Sequence, residues 1–288
     1  MKKYYYSLFA AATMLLATTS CSQDEEIIRQ SNEMTTFKVE LEGSTKSRTA
    51  GDGQTVDKLY YAVYDKDGGN VIYPNTDVKY GTATVTEGKA SVELPLMKSE
   101  EYDIVFWAQK DGSGAYSFTN LKEITVNYPT DGTLYSNQEN RDAFFNALNN
   151  YKADGNTQTV ELRRPFAQLN VATTLADWDE ATRLYQANGG TGDPVKFSKV
   201  TISQLATTFN ALSGEASGNT ESVLFNKAEL LKETNENGDE VVESIFIEKK
   251  ADDGTTSKKE YKLLAMNYVP FAVLADGKAL FLCKGCQD

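Results

Sequence analysis

Histidine, the side chain most often used for acid–base catalysis near neutral pH, is absent from this 288-residue chain. Its absence excludes Ser-His-Asp and Cys-His nucleophilic sites and histidine-ligated zinc. Carboxylates and lysines remain. A glycosidase needs two carboxyl groups about 5 to 9 Å apart, and no motif marks such a pair among the 41 acidic residues. We therefore predict that the chain is not an enzyme, with no catalytic residues, no cofactor and no metal site.

The cysteines are the other reactive groups. Cys283 and Cys286 form a C-x-x-C pair near the C-terminus. They lack the strand-to-helix context of a redox motif, so they support redox chemistry only weakly. Cys21 stands alone, and its neighbours indicate a different chemistry.

Residues 1–20 have the layout of a secretory signal: two lysines, an apolar run too short to span a bilayer, and a small-residue exit. Cys21 follows directly and resembles the cysteine of a bacterial lipobox, although Thr18 stands where leucine is usual. The acidic residues 24–26 resemble the surface-export signal of Bacteroidetes lipoproteins. We predict a signal peptide at 1–20, lipidation at Cys21 and an acidic tether at 21–35. The protein would then be anchored in the outer membrane by lipid and face the extracellular side.

The formal net charge is −12 at pH 7. Nucleic-acid binding depends on neutralising phosphates with lysine and arginine. So acidic a chain is therefore predicted not to bind nucleic acid.

Short strands and turns dominate the first half. Residues 37–41 alternate apolar and charged side chains, the period of a half-buried strand. Residues 59–64 and 71–73 flank a Gly- and Asn-containing turn and predict a hairpin, and a similar pattern surrounds Glu87 and Gly88. The apolar run 102–108 predicts a strand at a sheet centre.

One helix is predicted near 138–151. Ser136 and Glu139 have the spacing of a capping box, and Ala143, Phe144, Ala147, Leu148 and Tyr151 recur at helical spacing.

The second half continues with strand candidates at 195–202, 222–225, 241–248 and 261–269, separated by polar clusters. Many short strands with polar turns favour a sandwich over a parallel sheet. A boundary follows the Asp-Gly-Asn turn at 154–156. We predict an N-terminal β-sandwich domain at 36–157 and a C-terminal one, shortened at its end, at 158–288.

The lipoprotein start, the segments 59–65 and 102–108, and the phrase Leu-Arg-Arg-Pro-Phe-Ala-Gln-Leu-Asn-Val at 162–171 together resemble the fimbrillin-like lipoproteins of Bacteroidetes, including a branch without an assigned function. The resemblance extends from Cys21 to about Val269. It implies a mostly β fold of two tandem Greek-key β-sandwich domains of transthyretin-like topology, with one or two short helices. It also implies subunits of type V pili that join by strand exchange.

In the fimbrial members of that family, a protease cuts after an arginine beyond the first strand. Here Arg48 lies in a small, polar stretch open to a protease. We expect a structural or adhesive fimbrial subunit, processed at Arg48, whose partners are the outer membrane and other fimbrial subunits. The alternative interpretation, that Arg48 lies in an ordinary surface loop and is not a processing site, is equally compatible with the sequence.

The alternative is a monomeric surface lipoprotein that binds glycans or host proteins through exposed aromatic rings such as Tyr60, Tyr73 or Trp178. Rings on strands are more often buried. A glycosidase with two carboxylates is the third reading.

Overall fold

The computed structural model describes residues 32–42, 53–74, 77–98, 100–219, 222–250 and 255–270. Strands dominate these ranges, which confirms the prediction of a mostly β fold. The strands of the first half are β1 Asn32–Leu41, β2 Lys58–Asp65, β3 Val71–Tyr73, β4 Gly81–Thr84, β5 Lys89–Met97, β6 Glu101–Gln109, β7 Tyr116–Ser117, β8 Ile124–Val126, β9 Ala143–Lys152 and β10 Gln158–Leu162.

The second half adds nine strands and one α-helix. They are β11 Ala167–Thr174, α1 Leu175–Ala187, β12 Phe197–Ser203, β13 Ala206–Asn210, β14 Glu215–Asn219, β15 Ser222–Glu229, β16 Lys232–Thr234, β17 Glu240–Val242, β18 Ser244–Lys250 and β19 Thr256–Val269. Short 3₁₀ helices occupy Lys66–Gly68 and Glu139–Arg141.

An outer sheet, in the order β10-β1-β5, covers one face of a central sheet. The alternation predicted for β1 is present: Phe37, Val39 and Leu41 are buried and Lys38 is exposed. Phe37 packs against Phe106 of the central sheet, with ring centroids 5.6 Å apart. The two sheets enclose one apolar core, which is a β-sandwich arrangement.

The central sheet has the order β3-β2-β6-β9, with β4 also paired to β2. Eight of the nine residues of β6 are buried, all but Glu101. A strand covered on both faces reads as a continuous apolar run instead of an alternation. The central position predicted for 102–108 and the hairpin between β2 and β3 are both confirmed.

A third layer, in the order β14-β13-β8-β7, covers the opposite face of the central sheet. Aromatic rings fill this interface. Trp107 meets Tyr116 edge-on at 5.3 Å between centroids, and Phe145 meets Phe209 edge-on at 4.9 Å. Such tilted pairs add about 0.5–1.5 kcal/mol beyond the burial of their area.

The remaining strands form smaller sheets. One has the order β11-β19-β18, and two are the pairs β12-β15 and β16-β17. Their apolar residues divide into three separate clusters, centred on Phe225, Met266 and Trp178. Trp178 comes from α1, which begins where the Thr174 side chain accepts a hydrogen bond from the Asp177 amide.

The helix predicted near 138–151 is wrong, because residues 143–152 form strand β9. Phe144 and Leu148 face the core under the outer sheet, whereas Phe145 and Ala147 face the third layer. Burial on both faces removes the period of two. A positive φ at Asn150 and a register shift then bring Tyr151 back against Phe37. Burial on both faces and the irregularity at Asn150 together gave the apolar residues of β9 a spacing that resembles that of a helix.

Strands from both sides of the predicted boundary at 157/158 share sheets. β10 pairs with β1 in parallel, and β13 pairs with β8. The division into two domains stays a prediction. The tether predicted for 21–35 overlaps β1, whose first residue is Asn32.

Residues 1–20, Cys21, Arg48 and the C-x-x-C pair lie outside the described residues. Within the ranges that are described, no helix has the length and apolar character needed to cross a membrane.

Candidate functional site

Strand β1 occupies the middle of the outer sheet. It pairs with β10 in parallel on one side, with Phe37 opposite Gln158, and with β5 in antiparallel on the other, with Phe37 opposite Val92. Both backbone edges of β1 are therefore paired from Phe37 onwards, and its three buried apolar side chains lie in the core. If β1 left, it would open a slot with two unpaired edges and an apolar floor.

The two ends of the segment 43–52 converge at one corner of this sheet. At one end, the Glu42 amide donates to the Leu162 carbonyl at 2.8 Å. At the other, Gly53 has a φ of +77° and lies against Phe144 and Arg164 so closely that a Cβ atom there would be 2.8 Å from the Phe144 ring. Glu42 and Gly53, the described residues on either side of Arg48 in the sequence, thus both lie at this corner.

A buried ion pair holds that corner. The Arg164 guanidinium donates to both carboxylate oxygens of Asp142 at 2.8–3.2 Å and lies 4.6 Å from the centroid of the Phe144 ring. The side chain of Asp142 is 1% exposed. Burial raises the pKa of this carboxyl, and the hydrogen bonds from Arg164 oppose the rise. The pair joins the start of β9 to the end of β10.

A separate cavity of about 720 Å³ lies among β12, β15 and the β16-β17 hairpin. Asn137, at a positive φ of 66°, fixes one wall of it. Its side chain accepts from the Met266 amide and donates to the Glu229 carbonyl, both at 2.8 Å. Ser136, beside it in the lining, is 2% exposed, and its hydroxyl has no hydrogen-bond partner among the described residues.

Charged side chains and one aromatic ring complete the lining. Asp193 pairs with Lys232 at 3.2 Å, and Glu229 and Glu240 also line the cavity. Phe197 is 43% exposed, and the Lys227 ammonium lies 3.7 Å from its ring centroid. None of the lining residues was predicted from the sequence as a site residue, and Ser136 was named there only as a helix cap. The only local signal was the sequence of polar residues at 188–196 before β12.

The aromatic platforms named from the sequence have other positions. Tyr60 and Trp178 are buried, so neither can stack on an external ligand. Tyr73 is half-buried, and its ring is parallel to that of Tyr61 at 6.4 Å between centroids. Within the described ranges, no three acidic, Cys or His side chains are placed to hold a metal ion.

Comparison with known proteins places the chain in a family. A model of a family of unknown function, DUF6562, matches residues 28–269. No curated protein matches the chain.

Several solved structures align with this chain at low identity and low TM-score. A candidate polysaccharide-binding protein of Bacteroides thetaiotaomicron has 11% identity and a TM-score of 0.41, covering 82% of this chain and 71% of its own. A candidate cell adhesion protein of Bacteroides ovatus has 15% identity and a TM-score of 0.40, covering 82% and 90%. The fimbrial anchor protein Mfa2 of Porphyromonas gingivalis has 11% identity and a TM-score of 0.34, covering 81% and 74%.

Proposed function

We propose that this chain, which belongs to the DUF6562 family of unknown function, is an adhesive or structural subunit of a surface fimbria. In this proposal Cys21 carries the lipid that anchors the uncut chain in the outer membrane, the folded part faces outwards, and copies or other fimbrial subunits join by strand exchange after the cut. Its resemblance to fimbrillin-like lipoproteins first suggested this role.

The observation that carries the proposal is the position of β1. It is the N-terminal strand of the described fold, it lies between two partners, and Arg48 lies between it and β2 in the sequence. A single cut after Arg48 would leave β1 held to the rest of the fold only by non-covalent contacts. The remaining sandwich would keep its other strands and could accept a replacement.

The burial energy of β1 determines which side chains a replacement strand must carry. Burying one large apolar side chain contributes about 1.5–3 kcal/mol, and β1 buries Phe37, Val39 and Leu41. After a cut, β1 would therefore leave slowly on its own. A donor strand must present apolar residues at alternate positions and offer its backbone to both β10 and β5.

An arginine-specific protease tests the proposal on the purified mature chain. We expect one early cut after Arg48, followed by oligomers in size-exclusion chromatography. Mass spectrometry of these oligomers should give the mass of the cut subunit. Arg48→Gln should stay uncut and monomeric.

Lys46→Gln is the matched control, since it removes a charge two positions before Arg48 and leaves the arginine in place. It should be cut and should assemble like the unchanged chain. A cut chain that remains monomeric, even after long incubation, would contradict strand exchange. A chain that resists cutting at Arg48 would contradict processing at this position.

A further inference from the structure

The cavity beside Phe197 has the size of a ligand site. Pockets that hold small molecules in proteins occupy roughly 300–1,000 Å³, and this one measures about 720 Å³. It lies outside the outer sheet and β1, so the proposed exchange of strands neither uses it nor closes it.

Its lining combines groups that suit a hydroxyl-rich ligand. The carboxylates of Glu229 and Glu240 can accept hydrogen bonds, and the ammonium groups of Lys196 and Lys232 can donate them. Three acidic and two basic side chains give the lining a small negative balance, which disfavours phosphate or another anion. So many charges also disfavour a long aliphatic chain, because their desolvation would be uncompensated.

One buried hydroxyl in the lining has no partner. Ser136 Oγ is inaccessible and makes no hydrogen bond within the described ranges, although buried polar groups in proteins are nearly always paired. Its neighbour Asn137 uses its side chain to join β19 and β15. Because this oxygen is inaccessible, a buried water is the group that would complete its bonding, and the ligand contacts come from the other lining residues.

An aromatic ring adds an apolar surface to this polar cavity. Phe197 begins β12, and 43% of it is exposed, with the Lys227 ammonium over the ring. A sugar ring has an apolar C–H face and a rim of hydroxyls that both donate and accept. That combination matches an exposed ring next to mixed carboxylates and ammonium groups.

We propose that the cavity binds an oligosaccharide, with one sugar ring packed beside Phe197 and its hydroxyls bonded to Glu229 and Glu240. The inference is independent of strand exchange. An adhesive subunit could hold a glycan there while it is joined to its neighbours.

Saturation-transfer NMR on the full, uncut chain tests this site with maltose, cellobiose, lactose and N-acetyllactosamine as probes. We expect at least one of them to receive saturation at its ring C–H protons. Phe197→Ala should weaken its binding about fivefold or more, the loss of one aromatic contact. Phe197→Trp should keep the binding, and Glu240→Ala should weaken it.

Phe246→Ala is the matched control. Phe246 is 48% exposed and also has a lysine, Lys258, over its ring at 4.3 Å, but it does not line the cavity. Its removal should leave binding unchanged. Because Phe197 is a surface residue, its variants should unfold at the same temperature as the parent chain.

Three results would overturn the proposal. They are no saturation transfer to any of the four sugars, equal loss in the Phe197 and Phe246 variants, and binding of cadaverine in place of the sugars, which would make this a site for amines. Since the chain is not cut in these experiments, none of the three bears on assembly through β1. Conversely, failure to assemble after cutting would leave the sugar measurement intact.

Discussion

Strands are buried differently in two regions of the molecule. One is the layered region, built on the central sheet, and the other is the set of smaller sheets in the second half. In the layered region, β6 is covered on both faces, and two extended cores meet across it. In the smaller sheets, the apolar residues divide into three clusters, and strand β12 has one buried residue, Ile202. The layered region holds the two largest apolar clusters, and the smaller sheets carry the exposed Phe197 and Phe246 and border the cavity.

This contrast teaches where a β protein can place a binding surface. A sheet covered on both faces has no free face for a ligand. In the pair β12-β15, Phe197 lies at the end of the paired register and its side chain is exposed. The variants below test how far the two regions differ.

Truncation at the centre of the layered region should have the largest effect. Phe106 is fully buried in the core between the outer and central sheets. Phe106→Ala should lower the free energy of unfolding by about 3–5 kcal/mol, the usual loss for a large buried ring. Denaturant unfolding measures it. A loss under about 2 kcal/mol would show that the layered region does not depend on this core.

Removing the cation of the corner pair should come next. Arg164→Met leaves the buried Asp142 carboxylate unpaired, which should cost about 3 kcal/mol at neutral pH. Burial already raises the pKa of Asp142, and the variant should raise it further. Stability is then kept below the ordinary carboxyl pKa and lost as the pH rises through the raised folded value. The defect should therefore shrink in acid.

Two variants separate this charge effect from packing. Arg163→Met changes an exposed neighbour and should have little effect. Adding Asp142→Leu to Arg164→Met should recover much of the loss, because no unpaired charge remains. If the defect is the same in acid and at neutral pH, the unpaired carboxylate is not its cause.

Truncation in the smaller sheets should be less damaging. Phe225 is 1% exposed, in the cluster between β12-β15 and β19. Phe225→Ala should cost about 2–3 kcal/mol, below the usual range for a buried ring because this cluster is small. In hydrogen exchange, β12 and β15 should open while β6 stays protected. Equal loss of protection in β6 would mean that the two regions unfold as one unit.

The smallest effect should be that of pH near neutrality. With no histidine, stability should be almost constant between about pH 6 and 8. At alkaline pH, burial raises the pKa of Tyr64 to about 12 and that of Tyr116 as well. Their contribution is complete below the ordinary phenol pKa and is lost as the pH rises through the folded values. Unfolding midpoints should fall only above about pH 10; a fall below that pH would contradict this assignment.

The sequence correctly predicted the strands in which a single burial pattern determines the order of apolar and polar residues. Residues 37–41 alternate because one face of β1 is buried, and 102–108 are apolar apart from Asp103 because both faces of β6 are covered. In β9 two causes overlap, since both faces are buried and Asn150 shifts the register, so single-sequence periodicity indicated a helix. The helix α1 was missed although Thr174 and Asp177 have the spacing of an N-terminal cap.

The cavity could not be predicted in this way. Ser136, Phe197 and Glu229 are far apart in sequence, and only the pairing of β12 with β15 and the bonds of Asn137 bring them together. No local sequence pattern indicates that these distant residues are close together in the fold. The same holds for the corner at Arg164, because Arg164 and its ion-pair partner Asp142 are 22 positions apart in the sequence.

The parallel pairing of β1 with β10 has a consequence for the order in which the strands are secured during folding. β1 precedes every other described strand in the chain, and its pairing with β5 needs only the residues up to Met97. Its other side must wait for Gln158 and the residues after it. Closing so long a stretch of chain is entropically slow. The first strand to be made is thus among the last to be secured, and until then the outer sheet has only two strands and an open edge.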